Sequence, residues 1–363
     1  MFRLLFLLEL VLLSGQSISA ADEPDKAIAG PSIWVSGTKS DNIVKFDLNS
    51  GEVTVVARLP NGSRPRALAI DAKGQVFVGL NGNKKNIVKL VPGRPNLVDG
   101  PLVAVDLTAQ IGRFGPGLMA FDRNGLLNVA GDTERMILRY NVETGEAVDP
   151  LRTSRRANLV GLTVQDDTVF VAEYFQKKVL RIDTGTMPVQ AAILINGEGM
   201  LDRPHGMTIG HSNNLFVSNL QDDRVVEANP QTGEIVGVFM DVKTIGARGV
   251  SDLRYSRELD HYFITSGDTV YELASDGSLI ARFTNPSLSI AWSVLVFAPS
   301  SVTPPTLPAS VPATPVPIPI IIEPTPEQIQ IEEGEQFDDG EAAVIEIDRF
   351  QRFEYMLPPK RGI

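Results

Sequence analysis

The chain has 363 residues and carries 44 acidic against 33 basic side chains, a net charge of −11, with no cysteine and three histidines. The missing cysteines exclude disulfides, thiolate metal centres and cysteine nucleophiles, and three histidines leave little material for a multi-histidine zinc centre. The acidic balance argues against nucleic acid as a partner, while the length is ample for a core that needs no cross-links.

At the start, Met1-Phe2-Arg3 precedes an apolar run over residues 4–13 that only Glu9 interrupts, and small residues follow at Ser19-Ala20-Ala21. That layout reads as a secretory signal peptide over residues 1–21. The run is too short to cross a bilayer, so no transmembrane anchor is expected. The expected location is exported, periplasmic or extracellular, and the expected state is a monomer.

From residue 32 a phrase recurs six times. Leu68-Ala69-Ile70-Asp71, Met119-Ala120-Phe121-Asp122 and Leu162-Thr163-Val164-Gln165 are its first copies. Met207-Thr208-Ile209-Gly210, Leu253-Arg254-Tyr255-Ser256 and Leu295-Val296-Phe297-Ala298 complete it. A second set of strands is predicted at 33–36, 75–80, 126–131, 168–173, 214–219 and 261–266, each after a turn such as Ala72-Lys73-Gly74 or Arg123-Asn124-Gly125. A third set falls at 43–47, 87–91, 136–141, 179–183, 225–229 and 270–274. Turns such as Asn49-Ser50-Gly51 and Gln231-Thr232-Gly233 then lead to a fourth set that includes 53–58, 234–240 and 279–283. Short strands repeating at this period mean a radial β repeat. The fold class is therefore all-β, a six-bladed β-propeller over residues 32–298. The chain begins on a second strand and ends on a first strand, 292–298, so the N- and C-terminal strands are expected to pair and close the ring.

Residues 299–326 hold ten prolines and read as an extended Pro-rich linker. Residues 327–348 carry nine acids and no base, and the chain ends on a mixed stretch with Phe350, Phe353 and Tyr355. The tail over 327–363 is expected to be disordered when alone. Its aromatic end is a candidate docking peptide.

Blade five is the plainest copy of the repeat: Arg203-Pro204-His205-Gly206-Met207-Thr208-Ile209, Asn214-Leu215-Phe216-Val217-Ser218-Asn219, Arg224-Val225-Val226-Glu227, Asn229-Pro230-Gln231-Thr232-Gly233. It resembles the NHL-type repeat and its relatives, the virginiamycin B lyase-like and gluconolactonase-like (SMP-30) six-bladed propellers. The resemblance covers about residues 32–298. It implies a site at the channel mouth, where enzymes of this group use a divalent metal with acids, amides or histidines. The lactonase-like pattern would place calcium or a similar cation on Glu173, Asn219 and Asp252, with Asn158 and Asp268 close by in the repeat. The lyase-like pattern needs more than one mouth histidine. His205 starts an innermost strand at the mouth, whereas His211 and His261 fall toward the opposite face. Glu173 and His205 are the catalytic candidates on this reading.

Because strands alternate in direction, the loops can be sorted by face. Those at the mouth carry an excess of about six positive charges, and those opposite an excess of about eight negative ones. A basic mouth points to an anionic partner: an acidic glycan, a small anionic ligand or an acidic protein segment. Arg66, Arg152, Arg155, Arg156, Arg203 and Arg248, with His205, are the candidate contacts, since guanidinium forks match carboxylates and phosphates. Two functions follow from different classes: a binding or scaffold protein, and a metal-dependent hydrolase or lyase.

Overall fold

The computed structural model of the protein describes residues 30–83, 86–90, 102–106, 115–131, 136–153, 158–185, 190–197 and 199–298. The predicted leader 1–21, the linker 299–326 and the tail 327–363 lie outside them.

Among the described residues, twenty-four strands form six four-stranded antiparallel sheets. The first sheet contains β1 (Ser32–Gly37), β2 (Asn42–Asp47) and β3 (Val53–Arg58). The second is β4 (Pro65–Ile70), β5 (Val76–Leu80), β6 (Asn86–Lys89) and β7 (Leu102–Asp106). The third is β8 (Pro116–Phe121), β9 (Leu127–Gly131), β10 (Met136–Asn141) and β11 (Glu146–Arg152). The fourth is β12 (Leu159–Gln165), β13 (Thr168–Glu173), β14 (Lys178–Asp183) and β15 (Gln190–Asn196). The fifth is β16 (Pro204–Ile209), β17 (Leu215–Asn219), β18 (Arg224–Ala228) and β19 (Ile235–Asp241). The sixth is β20 (Asp252–Ser256), β21 (His261–Ser266), β22 (Thr269–Ala274) and β23 (Leu279–Thr284). The last strand, β24 (Ala291–Phe297), returns to the first sheet and pairs antiparallel with β1, Ser32 opposite Phe297 and Val35 opposite Val294. Strands β4, β8, β12, β16, β20 and β24 are innermost, and each packs against the next around the ring. The architecture is a six-bladed β-propeller.

The turns that make these meanders follow two recipes. Between innermost and second strands, Asp71 Oδ1 accepts from Lys73 N and Gln75 N at 2.9 and 2.8 Å, and Gly74 N donates back to Asp71 O. Asp122 repeats the pattern one blade on, accepting from Asn124 N and Leu126 N, both at 3.0 Å. Between third and fourth strands, Asp47, Asn141 and Asn229 each accept from the two backbone N–H groups two and three residues on. The glycine four residues on, Gly51, Gly145 or Gly233, closes the turn with φ between 71° and 75°. An acid or amide followed by a well-placed glycine is thus enough to return each strand on its neighbour.

Side chains alternate across the pleat, and each blade is apolar on both faces. Six core clusters fill the gaps between adjacent blades among the described residues. One joins blades two and three through Phe77, Met119, Leu127 and Tyr140. Another joins blades six and one through Phe263, Val270, Ile33 and Phe46. The outermost strand of every blade carries a register shift against its neighbour, a bulge that twists the exposed edge away from further pairing.

Candidate ligand site at the channel mouth

All six innermost strands begin on the same face, so their first residues ring the mouth of the central channel. Blades two and five begin alike, with Arg64-Pro65-Arg66 and Arg203-Pro204-His205. In both, the leading arginine has a left-handed backbone, φ 49° for Arg64 and 58° for Arg203. Its carbonyl accepts from the residue after the second strand, Asn81 N at 3.1 Å or Leu220 N at 3.0 Å. The proline that follows has no N–H to offer and suits a strand's first position; Pro65 faces Leu80 and Pro204 faces Asn219. Arg66 and His205 are therefore equivalent positions, on blades that stand opposite each other in the ring.

Trp292, the second residue of β24, reaches between them. The Arg66 guanidinium carbon lies 4.2 Å from the indole centroid, a cation–π contact. The His205 ring is 5.3 Å away on the other side, edge to face at 74°. Trp292 is partly buried and also packs against the cluster between blades three and four that contains Leu118, Leu159 and Leu162. It belongs to blade one, so its side chain crosses the channel.

His205 is itself buried, and its Nδ1 faces the backbone carbonyl of Ser251. A carbonyl only accepts, so Nδ1 carries the proton and the ring is held in one orientation. Beyond it stands Tyr174, 6.3 Å from His205 at 86°, and the Arg203 guanidinium lies 5.6 Å over the Tyr174 ring. Phe175 packs edge to face on Tyr174 at 5.0 Å and is 54% exposed. The mouth thus carries a continuous array, Arg66, Trp292, His205, Tyr174 and Arg203, with Phe175 at its open rim.

The other candidate residues are placed differently. Asp252 is fully buried and holds β20 to β24: its Oδ2 accepts from Ser293 Oγ at 2.8 Å, Val294 N at 3.1 Å and Arg254 Nε at 3.2 Å, and its Oδ1 from Leu253 N at 2.9 Å. Burial raises its pKa from the ordinary 3.8, against the lowering pull of Arg254 and these hydrogen bonds. Asn219 binds the loop that leads into blade five, accepting from Asp202 N at 3.2 Å and donating to Met200 O at 3.0 Å. Glu173 ends β13 beside a small cavity, about 160 Å³, whose walls include Thr153, Lys178 and Ile193. The three residues suggested for a cation belong to three blades, and Asn219 and Asp252 are engaged with different neighbours. A calcium centre needs six to eight converging oxygens, and no group of three or more His, Asp or Glu among the described residues is placed to hold a metal ion. The set does not fit such a centre.

His211 and His261 stand on the opposite face. His211 Nδ1 meets Tyr262 Oη at 2.8 Å, and His261 Nδ1 meets Glu272 Oε1 at 2.8 Å.

Arg155 and Arg156 lie outside the described residues, and Arg152 ends β11. Arg248 is 3.7 Å from Asp223, which also has Lys243 at 3.6 Å. Lys177 pairs with Asp202 at 3.1 Å and Arg224 with Asp222 at 2.5 Å. Several mouth cations are therefore matched locally by acids, a pairing that a sum of loop charges does not reveal. Sequence reasoning missed Trp292, Tyr174 and Phe175. The usable signal was the duplicated Arg-Pro-x start, which makes Arg66 and His205 counterparts and raises the question of what lies between them.

No family model matches the chain, and no curated protein matches it in sequence. Solved structures do share its fold. A chain of the nidogen/laminin complex is similar over 75% of this chain and 100% of its own, at 13% identity and a TM-score of 0.61. A streptogramin B lyase is similar over 73% of this chain and 85% of its own, at 17% identity and a TM-score of 0.53. A catalytically inactive virginiamycin B lyase from Staphylococcus aureus, solved with quinupristin, is similar over 70% of this chain and 80% of its own, at 16% identity and a TM-score of 0.52. At such identities the likeness is one of fold.

Proposed function

We propose that this chain is an exported binding or scaffold propeller that recognises an anionic ligand at the channel mouth. The observation that carries the reading is the array of Arg66, Trp292, His205, Tyr174 and Arg203 across that mouth. Two guanidinium groups stand over aromatic rings, Arg66 over Trp292 and Arg203 over Tyr174, and guanidinium forks match carboxylates and phosphates. The exposed ring of Phe175 adds an apolar contact at the rim. A ligand that suits this surface joins a carboxylate or phosphate to a flat or apolar face, as an acidic sugar or an acidic peptide does. The leader pattern over residues 1–21 supports export. Asp252 and Asn219 already use their side chains to fasten backbone.

The test is a binding panel of anions against their neutral counterparts: a uronic-acid oligosaccharide, poly-glutamate and pyrophosphate, measured by calorimetry at low and high salt. Arg66→Ala is expected to weaken the preferred anion by about 10- to 100-fold, the range for a charge-assisted hydrogen bond. An anion affinity that ignores both Arg66→Ala and Arg203→Ala would sink the reading. Turnover of a lactone or cyclic peptide lost on replacing His205 would favour the lyase class instead.

A further inference from the structure

Resting on that reading, we propose that Thr265 of blade six is a positioning residue for the mouth. It holds the Trp292 backbone and the strand start that orients His205, and so sets the shape of the array without belonging to it. Strands β4, β16 and β24 each slip by one residue against their neighbours at the mouth end. Arg66 is the extra residue between Pro65 and Ala67, which face Leu80 and Gly79. His205 and Gly206 share one such slip between Pro204 and Met207, and Trp292 and Ser293 another between Ala291 and Val294. A bulge re-aims a side chain out of the alternation of its strand, and Arg66, His205 and Trp292 all stand in one.

A bulge also disrupts the ladder, so backbone groups there need other partners. At Trp292 one comes from blade six. Thr265, the second-last residue of β21, is fully buried. Its Oγ1 donates to Trp292 O at 3.1 Å and accepts from Asp252 N at 2.9 Å. Its own carbonyl accepts from Ser251 N at 2.9 Å, and the Ser251 carbonyl is the acceptor for His205 Nδ1. Asp252 takes Ser293 Oγ at 2.8 Å and Val294 N at 3.1 Å, from the two residues after Trp292. One threonine thus ties together the chain on either side of the His205–Trp292 contact.

The sequence marks the same place. The second-last residue of the second strand is Ser36, Ser218 and Thr265 in blades one, five and six, and Gly79, Ala130 and Ala172 in blades two, three and four. Ser36 Oγ accepts from Ser293 N at 3.0 Å, and Ser218 Oγ donates to Val250 O at 3.3 Å. A buried hydroxyl is costly unless bonded, and glycine or alanine suffices for packing in the other three blades. Hydroxyls therefore occur in the three consecutive blades that bring His205 and Trp292 together.

Thr265→Val keeps the side-chain shape and removes the hydroxyl, whereas Thr265→Ser keeps the hydroxyl. Both are made in the full chain carrying Trp34→Phe, which leaves Trp292 of the two tryptophans. Thr208→Val is the comparison: Thr208 is buried in blade five and accepts from Tyr255 N at 3.2 Å, so its loss disturbs the core without touching what holds Trp292. The near-ultraviolet circular dichroism and emission of Trp292 should change in Thr265→Val, return to the parent's in Thr265→Ser and stay unchanged in Thr208→Val. A folded Thr265→Val with the parent's Trp292 spectrum overturns the proposal, as does an equal change in Thr208→Val. Ser293→Ala cuts the tie to Asp252 from the β24 side and decides the matter if Thr265→Val does not fold; its Trp292 spectrum should shift, and an unshifted one overturns the proposal. Calorimetry with pyrophosphate and poly-glutamate separates this from the anionic reading. Thr265→Val should weaken the better-bound of the two about 2- to 10-fold, the range of one hydrogen bond. Unchanged affinity beside a shifted spectrum overturns the link between Thr265 and the site. Binding of neither anion by the parent, beside a shifted spectrum, sinks the anionic reading and leaves Thr265 as the residue that positions Trp292.

Discussion

Trp292 shows how much one side chain can settle. It touches a cation from blade two, an imidazole from blade five and an apolar cluster between blades three and four, so it links blade one to four other blades. Two buried ionic residues make separable predictions. Asp122 is buried and bound by Arg139 at 3.3 Å and by Asn128 Nδ2 at 3.2 Å. Arg139→Ala leaves that carboxylate without its countercharge and should cost about 3–5 kcal/mol in denaturant unfolding. Arg139→Met with Asp122→Asn should recover part of it. Asp252 acts through pH. Its folded pKa is raised above the ordinary 3.8 because burial penalises the charged form. Its contribution is therefore full below the unfolded value and lost as pH rises through the folded one. Relative to Asp252→Asn, the wild type should lose stability as pH rises above the ordinary carboxylate range of about 4 in urea titrations. A difference curve flat across that rise would contradict the assignment.

At the scale of elements, the innermost strands of blades three to six are drawn together by missing side chains. A Cβ on Gly161 would fall 1.6 Å from the carbonyl oxygen of His205, and one on Gly206 would fall 2.6 Å from Cα of Asp252. Gly161→Ala must therefore push β12 from β16 and displace His205, with an expected loss of about 2–3 kcal/mol and weaker anion binding at the mouth. Gly237 on β19 has open space where its Cβ would stand, so in thermal melts of both variants Gly237→Ala should be neutral or slightly stabilising while Gly161→Ala is destabilised. The strands themselves were legible in the sequence because their turns were. Asp71 and Asp122, or Asn141 and Asn229, followed by glycine at a fixed offset, mark where each hairpin returns. The predicted bounds 168–173 and 261–266 coincide with β13 and β21, and 53–58 with β3. The fourth strands of blades two to four were not picked out, although β11 follows the regular turn Asn141–Gly145. The site was harder to see. Its members come from four blades, and only the spatial meeting of β24 with β4 and β16 reveals that Trp292 bridges Arg66 and His205. The histidines sorted correctly because face follows from strand direction alone. Asn219 and Asp252, suggested for a cation, fasten backbone, because acids and amides at strand ends also fasten loops, and sequence position does not separate the two uses.

At the scale of the whole molecule, the candidate site and the exit of the chain share one axis. The site lies at one end of the channel, and the chain leaves at the other. The first blade is built from both ends of the propeller, with β24 inside β1, β2 and β3. That arrangement has a mechanical consequence. Tension applied through the tail, should its far end be held by another surface, runs along β24 and loads the β24–β1 ladder in shear, with all its hydrogen bonds sharing the force at once. Failure would come abruptly rather than by peeling. It would also withdraw Trp292 from Arg66 and His205 as it came, so a taut tether would dismantle the mouth before the remaining five blades gave way.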